Sequence, residues 1–186
     1  MNKQTTPPDH HHPPQPAVAS APPPSRIPAD KKSMKIVPVT LREANDFVES
    51  HHRHNGRTVR NGGKFAIGLE VGELVGVAIV GNPLSATFMI RGTAEVLRVC
   101  VSGDAPRNSN SKLYGSCWRV WRAMGGDRLV TYSLQDESGA SLRGAGWRVV
   151  AEVEPHMAWG RKSKRDGKFR EWQPIYGQQK FRWEIG

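Results

Sequence analysis

Hydrophobic positions follow two different repeats along this chain, and the switches between them mark its elements. Phe65, Ile67, Leu69 and Val71 alternate strictly, as in a half-buried strand. Gly72 and Glu73 supply a tight hairpin turn. Leu74 to Val80 is the partner strand, apolar enough to be central in a sheet. Glu95 to Val101 reads as a further strand through β-branched Val96, Val99 and Val101. The period then changes. Leu113, Tyr114, Cys117, Trp118, Trp121 and Met124 form an apolar stripe at helical spacing, closed by Gly125 and Gly126. Upstream, Lys35 to Val39 is a short strand. Thr40 to Glu43 spells a capping box, followed by the helix face Leu41, Ala44, Phe47 and Val48, which runs out near His51, His52, Arg53 and His54. Downstream come strands at Arg128 to Leu134 and Trp147 to Val153. Between them lies a short helix, capped by Asp136 or Ser138 and closed by Gly146. Lys180 to Ile185 is expected as a last, edge strand.

The order is that of an α/β (α+β) protein organised around a strand, turn and helix at 93–125. The turn, SGDAPRNSNS, carries Ser109 and Ser111 as expected N-caps. A hydroxyl-rich turn feeding a helix N-terminus suits an anion, because free amides and the helix dipole point there. An ordinary strand–helix connection explains the same residues. Residues 1–33 are rich in Pro and carry His10, His11 and His12, with too few apolar residues to form a core, so they read as a disordered arm. Residues 34–154 form the expected folded domain, and 155–186 a basic, aromatic extension that completes it. The apolar runs are too short to span a membrane, and Pro and His stand where a signal peptide needs apolar residues. A cytoplasmic protein is the expectation. The two cysteines, Cys100 and Cys117, read as inert core thiols.

Charge is unevenly placed. The net +10 divides into +2 over residues 1–33 (four basic, two acidic), +3 over 34–154 (fifteen, twelve) and +5 over 155–186 (eight, three). The excess in the last segment points to an acidic polymer, or to a solvated tail. Candidate chemistry is spread along the chain. His51 and His52 end a helix, where the dipole favours imidazolium; each is a possible base or a surface cap. Three imidazoles within four residues also suit a metal, but no clear carboxylate ligand accompanies them. Arg98, mid-strand among apolar neighbours, needs a partner: it orients a substrate, or it pairs with Glu95 or Asp136. Ser111 and Tyr114 are placed to donate to a developing thiolate or oxyanion, though Tyr114 equally suits the core. Asp136 follows a strand at its carboxyl end, where α/β sites gather, and is a catalytic candidate as well as a cap.

The strand order and the run Asp136-Glu137-Ser138-Gly139-Ala140-Ser141-Leu142-Arg143-Gly144-Ala145-Gly146-Trp147 resemble the GNAT superfamily of N-acyltransferases over about residues 35–154. That resemblance implies a mixed, mostly antiparallel sheet with helices on both faces. It implies acetyl-CoA or a related acyl-CoA as donor, with Val99 and Val101 at the pantetheine and Arg107, Asn108, Ser109, Asn110 and Lys112 at the pyrophosphate. Two positions depart from the family pattern. The glycines of the usual pyrophosphate loop are missing from Arg107–Lys112, and Leu142 stands where many members carry a tyrosine acid. LRVCVSGDAPRNSNSKLYG and TYSLQDESGASLRGAGW further resemble the Mom-like group of phage and prophage proteins. That branch implies transfer of a carbamoylmethyl-type group to the exocyclic amine of adenine in DNA, as protection from restriction, in a bacterial host cytoplasm. The alternative is acyl-CoA-dependent acetylation of a protein or small amine.

Adenine as acceptor imposes demands of its own. Its amino lone pair is delocalised into the ring, so a base must take the proton as the bond forms. The base must also leave the stack, which calls for a stacking surface and a phosphate grip. Arg161, Lys162, Lys164, Arg165, Lys168 and Arg170, interleaved with Trp159 and Trp172, are the residues expected to supply both.

Overall fold

The computed structural model describes residues 33–51, 56–58, 63–155 and 177–186. The expected arm, His52 and every basic and aromatic residue assigned above to a DNA grip lie outside the described residues.

Seven strands form one sheet: β1 (Lys35–Pro38), β2 (Gly63–Glu70), β3 (Leu74–Gly81), β4 (Thr93–Val101), β5 (Arg128–Leu134), β6 (Arg148–Val153) and β7 (Lys180–Ile185), in the order β1-β2-β3-β4-β5-β7-β6. All neighbours are antiparallel except β4 and β5. The mixed, mostly antiparallel sheet expected of the chain is therefore present. One strand is placed differently: β7 inserts between β5 and β6, so β6 rather than Lys180–Ile185 is the edge. Phe181 and Trp183 explain this, since an edge strand gives a buried Trp little to pack against, whereas Trp183 here is 1 % exposed.

Helices cover both faces. α1 (Leu41–His51) packs on β2, β3 and β4 through Ala44 and Val48, which meet Val77, Ile79 and Cys100. Its capping box forms as read: Thr40 Oγ1 accepts the Glu43 N–H, and a Glu43 carboxylate oxygen accepts the Thr40 N–H at 2.7 Å. α2 (Ser109–Ala123) buries Leu113, Cys117 and Trp121 against the opposite face, and α3 (Ala140–Gly144) lies against α2. Met124, expected in the stripe of α2, is instead exposed, because the helix has ended at Ala123. The cap of α2 also differs from expectation. Asn108, in a left-handed conformation, is the N-cap; the Ser109 hydroxyl donates back to the Pro106 carbonyl, and Ser111 lies inside the first turn. Likewise Gly139, not Asp136 or Ser138, caps α3, although Ser138 Oγ accepts the Ala140 N–H. Both thiols are buried, which pushes Cys100 up to about 11 and Cys117 up to about 12.

Candidate active site

The site begins where the sheet comes apart. β4 and β5 pair over three rungs only, Thr93 with Arg128, Ala94 with Leu129 and Glu95 with Val130. β4 runs on to Val101 and β5 to Leu134 without further pairing. Thr131 Oγ1 donates to the Val96 carbonyl at 2.9 Å, a side-chain rung that closes the base of the opening. Beyond it lies a cleft of about 430 Å³, lined by Val99, Cys100 and Val101 of β4, Asn110 and Tyr114 of α2, Tyr132 and Ser133 of β5, and residues 137–142. It lies between the diverging strands at the start of α2.

The open flank of β4 has a definite chemistry. The Ser102 N–H bonds to the Val75 carbonyl, and Cys100 with Val77 and Arg98 with Ile79 continue that register. In an antiparallel ladder bonded pairs alternate with unbonded ones. Val99 and Val101 therefore turn their N–H and C=O groups away from β3, into the cleft. An extended ligand with its own amides can pair there as an added strand does. At the far end, the N–H groups of Asn110 and Ser111 in the first turn of α2 find no acceptor among the described residues. They are the usual orphan donors of a helix start and suit an anion. Left-handed Asn108 turns the chain into α2 without the family's glycines, since Asn tolerates that conformation better than most side chains.

β4 carries a bulge. Ile79 faces Arg98 and Val80 faces Val96, so Leu97 is the extra residue. It puts Glu95 and Arg98, three positions apart, on the same face, the one that α1 covers further along. Glu95 is 4 % exposed and accepts the Leu84 N–H at 2.8 Å. Burial pushes its carboxyl up to about 7, against the opposing pulls of the Leu84 hydrogen bond and the Arg98 charge. Of the two partners proposed for Arg98, Glu95 is thus the one whose charge it feels. Arg98 also donates to the Gly56 and Leu97 carbonyls. Tyr132, which lines the cleft, is raised in pKa by burial and then by Glu95, so the two lie close together.

The other candidates separate clearly. His51 lines the cleft, stacked on Phe47 with Nδ1 against the Phe47 carbonyl at 3.1 Å. Tyr114 lines it too, edge-on to Trp147, and burial raises its hydroxyl well above the ordinary phenol range. Val99, Val101 and Asn110 line it as well. Arg107 and Asn108 are exposed on the approach to α2; Ser109 is buried and occupied with Pro106; Lys112 is half-buried in the first turn. Ser111 does not line the cleft and lies against Gly144. Asp136 is exposed in the turn after β5, also outside the lining. The cleft residues that sequence reasoning missed are Tyr132, Ser133 and Glu137, and it read Glu95 only as a partner for Arg98. No spacing in the sequence singles them out; Tyr132 reaches the cleft because β5 parts from β4 after Val130. Among the described residues no three His, Cys, Asp or Glu side chains converge as metal ligands.

Solved structures share this architecture. An IAA acetyltransferase from Bacillus cereus superposes with TM-score 0.58 at 12 % identity, over 82 % of this chain and 99 % of its own. A Bacillus subtilis acetyltransferase in complex with CoA gives 0.55 at 12 %, over 82 % and 96 %. An acetyltransferase of the GNAT family from Streptococcus pneumoniae gives 0.54 at 10 %, over 82 % and 99 %. The fold is the GNAT fold. No protein-family model matches the chain, and no curated protein sequence matches it. Leu142 is 3 % exposed in the core and lines the cleft together with Tyr114.

Proposed function

We propose that the chain is an acyl-CoA-dependent N-acyltransferase whose acceptor is the amine of a small molecule or protein. The observation that carries the reading is the parted sheet: unpaired backbone at Val99 and Val101 leads to unpaired amides at the start of α2. A pantetheine arm carries amides spaced along an extended chain and ends in a pyrophosphate, which fits that sequence of donors and acceptors. Bound there, acyl-CoA supplies an activated thioester. Val99 and Val101 hold the arm by main-chain bonds. The Asn110 and Ser111 amides, with Lys112 and Arg107, hold the pyrophosphate. Glu95, poised near neutrality beside the closed end of the cleft, takes the amine proton, directly or over one water. Tyr114 stays protonated because its hydroxyl is buried, and so donates to the departing sulfur in place of the tyrosine that Leu142 replaces. The test is CoA release from acetyl-CoA, followed with a thiol reagent across a panel of amines. Amine-dependent release supports the reading; release that ignores the amine contradicts it.

Adenine modification is the second reading, and the feature that favours it is the +5 excess over residues 155–186, interleaved with aromatics. The acetyltransferase names carried by the neighbours support amine acetylation as the first reading. Mass spectrometry of nucleosides from DNA of cells expressing the chain separates the two. A shifted deoxyadenosine selects DNA, and its absence alongside amine-dependent CoA release selects the first reading.

A further inference from the structure

On the face of the sheet that α1 covers over β2 to β4, the short 3-10 turn Ala86–Phe88, rather than an α-helix, reaches over β5 and β7 among the described residues. Here the two strands present charge. Tyr132 of β5 stands opposite Arg182 of β7, and Val130 opposite Glu184. The Glu184 carboxylate accepts from Arg182 Nε at 3.1 Å and meets Arg128 Nη1 at 3.7 Å. Both guanidinium groups also lie over the Phe88 ring, Arg182 at 4.7 Å and Arg128 at 5.5 Å from its centroid. Two cations thus share one carboxylate, and all three side chains are largely withdrawn from water, at 25 %, 33 % and 17 % exposure. Among these described side chains one positive charge is left over, in a place where solvent screens it poorly. Phe88 and Glu184 fix the direction of both guanidinium groups, the preorganisation that bidentate anion recognition needs.

The cluster sits beside the reacting end of the cleft. Glu95, Val130 and Glu184 form one row across β4, β5 and β7, and Tyr132 with Arg182 occupies the adjacent row. At roughly 4.8 Å between strands and about 3.4 Å per residue, Arg182, two strands across and two residues along, starts about 12 Å from Glu95, and its side chain spans about half of that distance. We propose that the acceptor is an amine bearing an anionic group, a carboxylate or a phosphate, a few atoms from its nitrogen. Arg182 is the residue that binds this group, with Arg128 in support. This assignment rests on the acyltransferase reading for the amine, but not for the anion: the Arg182 clasp stands whether or not transfer occurs.

The test uses three matched probes with the full chain: β-alanine, 2-aminoethylphosphonate and the neutral β-alaninamide. Acetyl transfer is expected with kcat/KM at least tenfold higher for one charged probe than for the amide, and the better of the two identifies the anion. In Arg182→Gln the ratio should fall to about one, whereas Arg182→Lys should retain part of it. Calorimetric titration of the CoA-saturated chain with 2-aminoethylphosphonate and with β-alanine gives a readout independent of turnover: at least one should bind wild type, and Arg182→Gln should lose it while circular dichroism shows the folded state retained. A charged-to-neutral ratio near one in wild type, or a ratio and anion affinity unchanged in Arg182→Gln, overturns the proposal. Absence of transfer to any amine, with anion binding still dependent on Arg182, instead overturns the acyltransferase reading and leaves the anion site standing.

Discussion

The two ends of β4 are made of similar residues and do opposite work. From Thr93 to Val96 the strand is buried throughout, paired with β5 at Thr93, Ala94 and Glu95 and with β3 at Glu95 and Val96. From Leu97 to Val101 it is held by β3 alone, and its second row of backbone groups faces the cleft. The boundary between the ends is built from the Leu97 bulge on one flank and the Thr131 side chain on the other. A sheet that completes its hydrogen bonds is structure; the same sheet left incomplete for half a strand is a binding surface. Glu95 belongs to the closed end by position, yet in the proposed reaction its burial there tunes it for chemistry at the open end.

Breaking that link should have the largest effect. Glu95→Gln is expected to lower acyl transfer by about 10²- to 10⁴-fold, the usual range for removing a general base. Wild-type activity should rise with pH through about 7 as Glu95 ionises, and the residual activity of the variant should lack that step. Stability should move the other way. The folded carboxyl titrates near 7 and the unfolded one near 4.5, so the fold favours the protonated form. Its contribution is complete below about 4.5 and is lost as pH rises through 7, on the order of 3 kcal/mol. Glu95→Gln should therefore melt higher than wild type at pH 8 and close to it at pH 4.5. Equal melting temperatures at pH 8 would show that Glu95 ionises without cost.

Next is the wall opposite β4. Gly139 has φ +61°, and a Cβ there would stand 2.4 Å from Cζ2 of Trp183, whose Nε1 bonds to Ser133 Oγ in the cleft wall. Gly139→Ala should cost about 3 kcal/mol through backbone strain and overpacking together, read by denaturant unfolding. Thr131→Val, which removes the side-chain rung, should cost about 1 kcal/mol and weaken donor binding by loosening the base of the cleft. The smallest effect is at Asn108. Gly there should change stability by less than about 1 kcal/mol, whereas Ala should cost about 1 kcal/mol, because only the left-handed conformation is at stake.

Much of this was legible in the chain. The alternation at Phe65–Val71, the capping box at Thr40 and the stripe on α2 each record a local period that the fold keeps. The cleft's place followed from a strand feeding a helix through a polar turn. What was not legible depends on contacts remote in sequence. The Leu97 bulge leaves no composition signal, and strict alternation would put Glu95 and Arg98 on opposite faces. Ser109 and Ser111 look like caps, but the chain enters α2 through a left-handed Asn108, and Ser109 turns back to Pro106. β7 was read as an edge because its length and charge suit one; only its pairing with both β5 and β6 shows why Trp183 is buried. Arg182, Glu184, Arg128 and Phe88 come together from three separate stretches of chain, with no spacing to reveal them.

The central claim is that the open flank of β4 holds acyl-CoA by main-chain bonds. It is tested by Val99→Pro, which deletes a single N–H facing the cleft and removes no bond to β3. Isothermal titration with acetyl-CoA should give one site in wild type. In Val99→Pro it should give binding at least tenfold weaker, with the folded state retained by circular dichroism. Absence of binding in wild type, or equal affinity in the two proteins, would contradict the claim.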